Sequence, residues 1–284
     1  MPTKSEIESL LFLLDDPDPF VQKSVQNRFM ELGESAVPLL DQYRTQIIGT
    51  EEREKAGKII HRLTFDTLHS DFIELLEQGV KSRKSLETAM FTLARFGNPT
   101  LRTKEYQRKL DHFAAMIAPA IRFKLDDHKK MRYLIKFMFE DLNFRGDTED
   151  YHNPANCYMD KVIDRRIGLP ITLSLVMMFI ARRLELPFFG VNMPIHFMLT
   201  YVSDKEELLI DPYDNGAIVT YDQCYFFLKK NGIEPKPGHF QIASDMGILL
   251  RCLRNMIHSY ERKEDEERVN DLRKLLATAE LYEG

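Results

Sequence analysis

The chain has 284 residues, 44% of them hydrophobic, which is material for one large domain or two to three small ones with a real core. Its 39 Lys and Arg are interspersed with 44 Asp and Glu for a net charge of -5, so no basic stripe marks a nucleic-acid partner. Residues 173–181 form the longest apolar stretch, too short to cross a bilayer, and the opening segment lacks the pattern of a signal peptide, so no membrane association is expected. Three cysteines, Cys157, Cys224 and Cys252, are odd in number without CxxC spacing, which fits reduced thiols in a cytoplasmic protein. The histidines show no paired ligand spacing, so neither a metal nor another cofactor is implied.

Residues 1 to about 65 read as helix, turn, helix, break and helix. Asp18 is placed to cap the second helix with Pro19 at its first position, Gly33 breaks the pattern, and Pro38 opens the third helix. The arrangement resembles a HEAT-type unit, whose helix pairs bury a shared face by stacking on neighbours. Residues 71–150 continue as helix and loop only. Their helical period runs through SLETAMFTLARFGNP and YQRKLDHFAAMIAPAIRF, and another helix covers 131–144 before the polar loop GDTEDYHNPAN.

The block from Asn156 to Gly168 gives a helix that pauses at Gly168, followed by a very apolar helix over 170–184 with Pro170 in its first turn. Beyond it FFGVN, HFMLTYV, ELLIDPY and AIVTY are short runs rich in β-branched and aromatic residues, read as a small antiparallel sheet. His196 opens one strand and Asp211 closes the next. NGIEPKPG is a linker, and the remainder forms two amphipathic helices joined by a charged turn at 263–266, similar to a tetratricopeptide hairpin.

The order of these motifs resembles the transglutaminase core of the papain-like superfamily: GLP at 168–170 falls on its GxC motif, His196 on its histidine and Asp211 on its acid. The closer resemblance is to the SirB-type branch. It is carried by Asn156, Tyr158, Val162, Arg165, Arg166, Gly168, Pro170, Ile171 and Leu173, then by Pro194, His196 and Phe197, then by Asp211, Pro212, Tyr213 and Gly216. The resemblance implies a remnant triad in which Pro170 stands where the nucleophilic cysteine belongs. A thiolate needs an imidazole to take its proton and a carboxylate to orient that imidazole, and a pyrrolidine ring supplies no nucleophile.

Three residues are candidates to replace the thiol, and none is expected to do so. A helical path at about 1.5 Å per residue puts Cys157 roughly 15 to 20 Å from Pro170. Ser174 shares the Pro170 face but lies one turn deeper, where a bond to its own helix is expected. Thr172 is read in the exposed first turn, pointing away. Arg165 or Arg166 is expected to bind helix-end carbonyls or a carboxylate such as Asp211 or Asp214, and Asn156 to bond loop backbone.

The fold class expected is α+β, mainly α: a helical N-terminal array (1–65), a papain-like core with a helical lead-in (66–237) and a C-terminal hairpin (238–284). The function expected is a non-catalytic binding or scaffolding module for a protein or peptide, its groove bounded by Gly168, Asn192, Pro194, His196 and Asp211. The alternative is an unconventional amide hydrolase or peptidase that uses His196 and Asp211.

Overall fold

The computed structural model describes residues 2–46, 50–80, 83–122 and 126–283. The chain forms two compact units, one of Met1–Phe72 with Arg95–Leu101, the other of Ile73–Ala94 with Arg102–Gly284.

In the first unit, α1 (Lys4–Phe12) starts at Thr3, whose hydroxyl accepts from the Glu6 N–H at 3.2 Å. A 3-10 turn over Leu13–Asp15 leads to α2 (Pro19–Leu32), where Asp18 accepts from the Phe20 N–H at 2.8 Å. Pro19 takes the first helical position, where a missing amide hydrogen has no cost. Gly33 ends α2 at φ +57°, a conformation glycine adopts without steric penalty. Then come α3 (Val37–Gln46) and α4 (Thr50–Gln78), which crosses into the second unit. Ile7, Val25, Phe29, Leu40 and Ile60 fill the core of the first unit, with Val25 and Phe29 stacked one turn apart on α2.

The second unit adds α5 (Arg83–Ala94), α6 (Thr103–Arg122) and α7 (Asp127–Lys136). Phe123, read as helical from the sequence, lies outside the described residues. The helix read over 131–144 is shorter: α7 ends at Lys136 and widens into a π turn over Phe137–Asp141, with the Leu142 N–H donating to the Phe137 carbonyl at 2.8 Å. The reading of 71–150 as helix and loop also misses a strand. β1 (Arg145–Gly146) pairs in parallel with β2 (Ile167–Gly168), which follows α8 (Met159–Arg165). Two residues are too few to show an alternating pattern.

α9 (Pro170–Arg183) is buried on all sides from Pro170 to Ala181, as a helix apolar around its circumference must be. Its end is fixed by Arg183, which donates to Glu87 of α5 at 2.7 and 2.9 Å and to Asp111 of α6 at 2.6 Å. The sheet follows as β3 (Phe188–Val191), β4 (Met198–Val202), β5 (Glu207–Asp211) and β6 (Ala217–Val219), antiparallel and in that spatial order. The run AIVTY contributes only its first three residues to β6. Thr220 instead caps α10 (Tyr221–Lys230), a helix absent from the sequence reading, in a capping box closed by Gln223. The chain ends in α11 (Asp245–Glu261) and α12 (Glu266–Glu280). Mainly helical with one small antiparallel sheet, the fold is the α+β class expected.

Candidate functional site

Sheet register brings the site together. Leu199 of β4 lies opposite Ile210 of β5, so the start of β4 meets the end of β5, and a residue just before β4 comes beside Asp211. That residue is His196, whose Nε2 lies 2.8 Å from Asp211 Oδ2. Asp211 is itself oriented: its Oδ1 accepts from the N–H groups of Tyr213 at 2.9 Å and Asp214 at 3.3 Å, closing the turn. The imidazole meets the Phe227 ring edge-on at 5.8 Å and the Tyr213 ring at 6.2 Å. Its Nδ1 makes no hydrogen bond among the described residues, and the side chain keeps 17% of its surface in solvent.

Ile195, just before it, sits at φ +61° and is 53% exposed. A β-branched residue in the left-handed region is strained, and such strain persists where surrounding structure over-determines it. The adjacent Pro194 is half-buried, and Phe197 turns into the core, where its ring occupies the space above Gly190. Asn192 is exposed and accepts a hydrogen bond from Arg251, which also donates to the Met193 carbonyl at 2.7 Å.

The first motif builds the wall behind this pair. Asn156, wholly buried, donates to Asp147 Oδ2 and to the Asp150 carbonyl, both at 2.9 Å, and accepts from Arg165 at 3.0 Å. Arg165 also reaches Asp147 at 3.5 Å, so its carboxylate partner is Asp147 rather than Asp211 or Asp214. Arg166 takes the left-handed C-cap of α8 and donates to the Leu142 carbonyl at 2.7 Å. Burial works against the Asp147 charge, but the Asp150 N–H, the Asn156 amide, the Glu149 N–H and Arg165 outweigh it and hold the carboxyl below its ordinary value. Tyr213 ties this wall to the histidine. Its hydroxyl donates to the Asp147 carbonyl at 2.6 Å, and its ring lies where a Cβ on Gly146 would come within 2.5 Å. Tyr151 meets Tyr213 edge-on at 5.9 Å.

At the start of α9, Pro170 is buried at the first helical position. Thr172 is not exposed as the sequence suggests: it is 1% accessible, accepts from the Leu169 N–H at 2.9 Å and lies 2.9 Å from the Asn156 carbonyl, to which it donates. A folded-back chain is the reason. α8, the left-handed Arg166 and β2 return the segment, which also overturns the 15 to 20 Å separation drawn for Cys157, because its neighbour Asn156 touches the first turn of α9. Ser174 donates to the Pro170 carbonyl at 2.7 Å, within its own helix. A Cβ on Gly168 would stand 2.7 Å from Thr172 Oγ1 and 3.0 Å from Val162, which explains the glycine.

The thiols are all buried. Burial pushes Cys157 up to about 11, against the Ser259 hydroxyl 3.5 Å from its sulfur, and burial likewise raises Cys224 and Cys252. Sequence reasoning missed Asp147, Phe227 and Ile195 as parts of the site. Only Asp147 carries a local signal, the turn-forming run that begins DTED. Among the described residues no group of three or more His, Cys, Asp or Glu could hold a metal, and no helix is long and apolar enough to cross a membrane.

A histidine just before β4 paired with the aspartate that closes β5, and tied through Tyr213 to the strand pair that leads into a buried helix, fits a transglutaminase-like core. The chain belongs to the transglutaminase-like superfamily, whose family model matches residues 104–254, just over half its length. Within it the chain falls in the SirB-type branch. A UPF0162 protein of Xylella fastidiosa strain Temecula1 is 36% identical over 145 residues, covering 49% of this chain and 52% of the relative. A UPF0162 protein of Vibrio cholerae is 25% identical over 193 residues, covering 66% and 65%. Human F-box only protein 21 is 24% identical over 241 residues, 73% of this chain but 37% of its own. The chain thus spans about half the length of the Xylella relatives it matches. No solved structure matches.

Proposed function

We propose that this chain is a binding module in which the transglutaminase-like site holds a peptide segment of a partner protein without turning it over. One observation carries the reading: the hydroxyls of Thr172 and Ser174 at the start of α9 are bonded to backbone, and the three thiols of the chain are buried and pushed toward the protonated form. What stays open is a surface for contact, with the unbonded Nδ1 of His196 flanked by the exposed Ile195 and the partly exposed Phe227 and Tyr151. An aromatic and aliphatic rim around one polar group suits recognition of an apolar side chain beside a backbone amide. The human relative carries the matching region in a chain nearly three times as long as the aligned part, which fits a module joined to other domains. HEAT-like helices before the core and tetratricopeptide-like helices after it in the chain would offer binding surfaces of their own, in a cytoplasmic setting.

A second reading, amide hydrolysis by water that His196 and Asp211 activate, draws on their 2.8 Å contact and partial exposure. The purified chain incubated with a random peptide array, bound peptides then analysed by mass spectrometry, separates the two. The module reading expects intact peptides and binding lost in Phe227→Ala. Cleaved or deamidated peptides, lost in His196→Ala, would establish the hydrolase instead.

A further inference from the structure

The first unit lies outside the family match and carries its own open surface. At the end of α1 and the 3-10 turn that follows, Leu11, Leu14, Pro17 and Tyr43 line a groove of about 500 Å³, with Asp16 and Lys55 at its rim. Phe12 beside it is 82% exposed, and Phe20, at the start of α2, is 77% exposed. A solvent-facing helical surface normally carries polar residues, and this one turns out two phenylalanines.

The chemistry around the groove says what fits. Asp16 and Asp18 meet no cation among the described residues: each has an Oδ1 that accepts a backbone N–H, from Asp18 at 2.9 Å and from Phe20 at 2.8 Å, so Asp16 in the groove lining has the exposed Asp18 next to it. The nearby Lys55 is already engaged with another residue, so it does not neutralise an incoming chain freely. The lining comes from helices and the turns between them, whose backbone groups are largely spent within the helices. No strand edge is on offer among the described residues, so docking proceeds through side chains packed into the groove.

We propose that this groove receives an amphipathic helix of a partner protein, with large apolar residues on one face and Lys or Arg at its flanks. The apolar face would cover Phe12, Phe20 and the groove floor. The basic flanks would meet Asp16 and Asp18, adding discrimination and association rate more than affinity.

The test uses the full chain and a fluorescein-labelled designed helix of about 18 residues, five turns, with Leu and Phe on one face and Lys at both ends. A twin carries Glu in place of Lys, and fluorescence anisotropy reads binding. The Lys peptide should bind roughly tenfold more tightly than the Glu twin at low salt, with the ratio shrinking as salt is added. Asp16→Asn with Asp18→Asn, which keeps the cap because asparagine caps equally well, should remove most of that preference. Phe12→Ser should abolish binding with an unchanged circular dichroism spectrum, and Phe20→Ser serves the same purpose should the first variant misfold. Equal binding of the two peptides, or binding indifferent to both phenylalanine changes, would overturn the proposal. So would a chain dimer in sedimentation that Phe12→Ser dissociates, since the face would then belong to a second copy.

Discussion

At the start of α9, the hydroxyls of Thr172 and Ser174 are spent on backbone, Pro170 is buried, and Gly168 leaves no room for a methyl group. Just before β4, more than twenty residues further along the chain, His196 keeps an unbonded nitrogen, a share of solvent and a strained neighbour in Ile195. Both ends derive from the same motif set, yet one is packed like a core and the other is kept open. The contrast teaches that the motif at 156–173 acts as scaffold: its polar residues satisfy one another, and what remains available for chemistry or contact is the imidazole and its rim.

Substitutions on the two sides should therefore differ in what they cost. The largest effect belongs to Asn156→Ala, which strips the buried Asp147 carboxylate and Arg165 of a shared partner. Loss of about 2 to 4 kcal/mol is expected, read as a lowered urea midpoint of the second unit. Gly168→Ala comes next at about 1 to 3 kcal/mol, because the new methyl must displace the Thr172 hydroxyl or Val162. Thr172→Val keeps the shape but leaves the Leu169 N–H unmet, for about 1 to 2 kcal/mol. His196→Ala should be the mildest, about 1 kcal/mol, since the pair is partly solvated and Asp211 retains its turn bonds, while peptide binding is lost. A His196→Ala variant that unfolds more readily than Asn156→Ala would reverse the comparison.

Acid sharpens it further. The Asp147 carboxyl titrates lower when folded than when unfolded, so its stabilisation is complete above the unfolded value of about 3.9 and fades as pH falls through the lower native value. Thermal melts of Asp147→Asn and the parent chain should therefore differ most near neutral pH and converge below about pH 4.

Much of this was legible in the sequence. The four strands of the sheet were marked by β-branched and aromatic runs between turn formers, and α9 by a mostly apolar stretch behind a proline. The pairing of His196 with Asp211 was implied by the resemblance to the transglutaminase core. What escaped was set by long-range geometry. Asp147 becomes part of the wall only because β1 pairs with β2, and a two-residue parallel pair leaves no periodic trace. Phe227 reaches the imidazole from α10, whose capping box at Thr220 was visible but lay inside a run read as strand. Thr172 was misplaced because the first turn of a helix is exposed only when no loop folds back over it, and here the Asn156 carbonyl does.

Native-state alkylation with iodoacetamide, quantified for each cysteine by mass spectrometry, tests the central claim most directly. Cys157, Cys224 and Cys252 should all stay unmodified until the chain is unfolded, and the outcome should be the same in the parent and in His196→Ala. Rapid, stoichiometric labelling of any one of them that disappears in His196→Ala would reveal a working nucleophile and contradict the account.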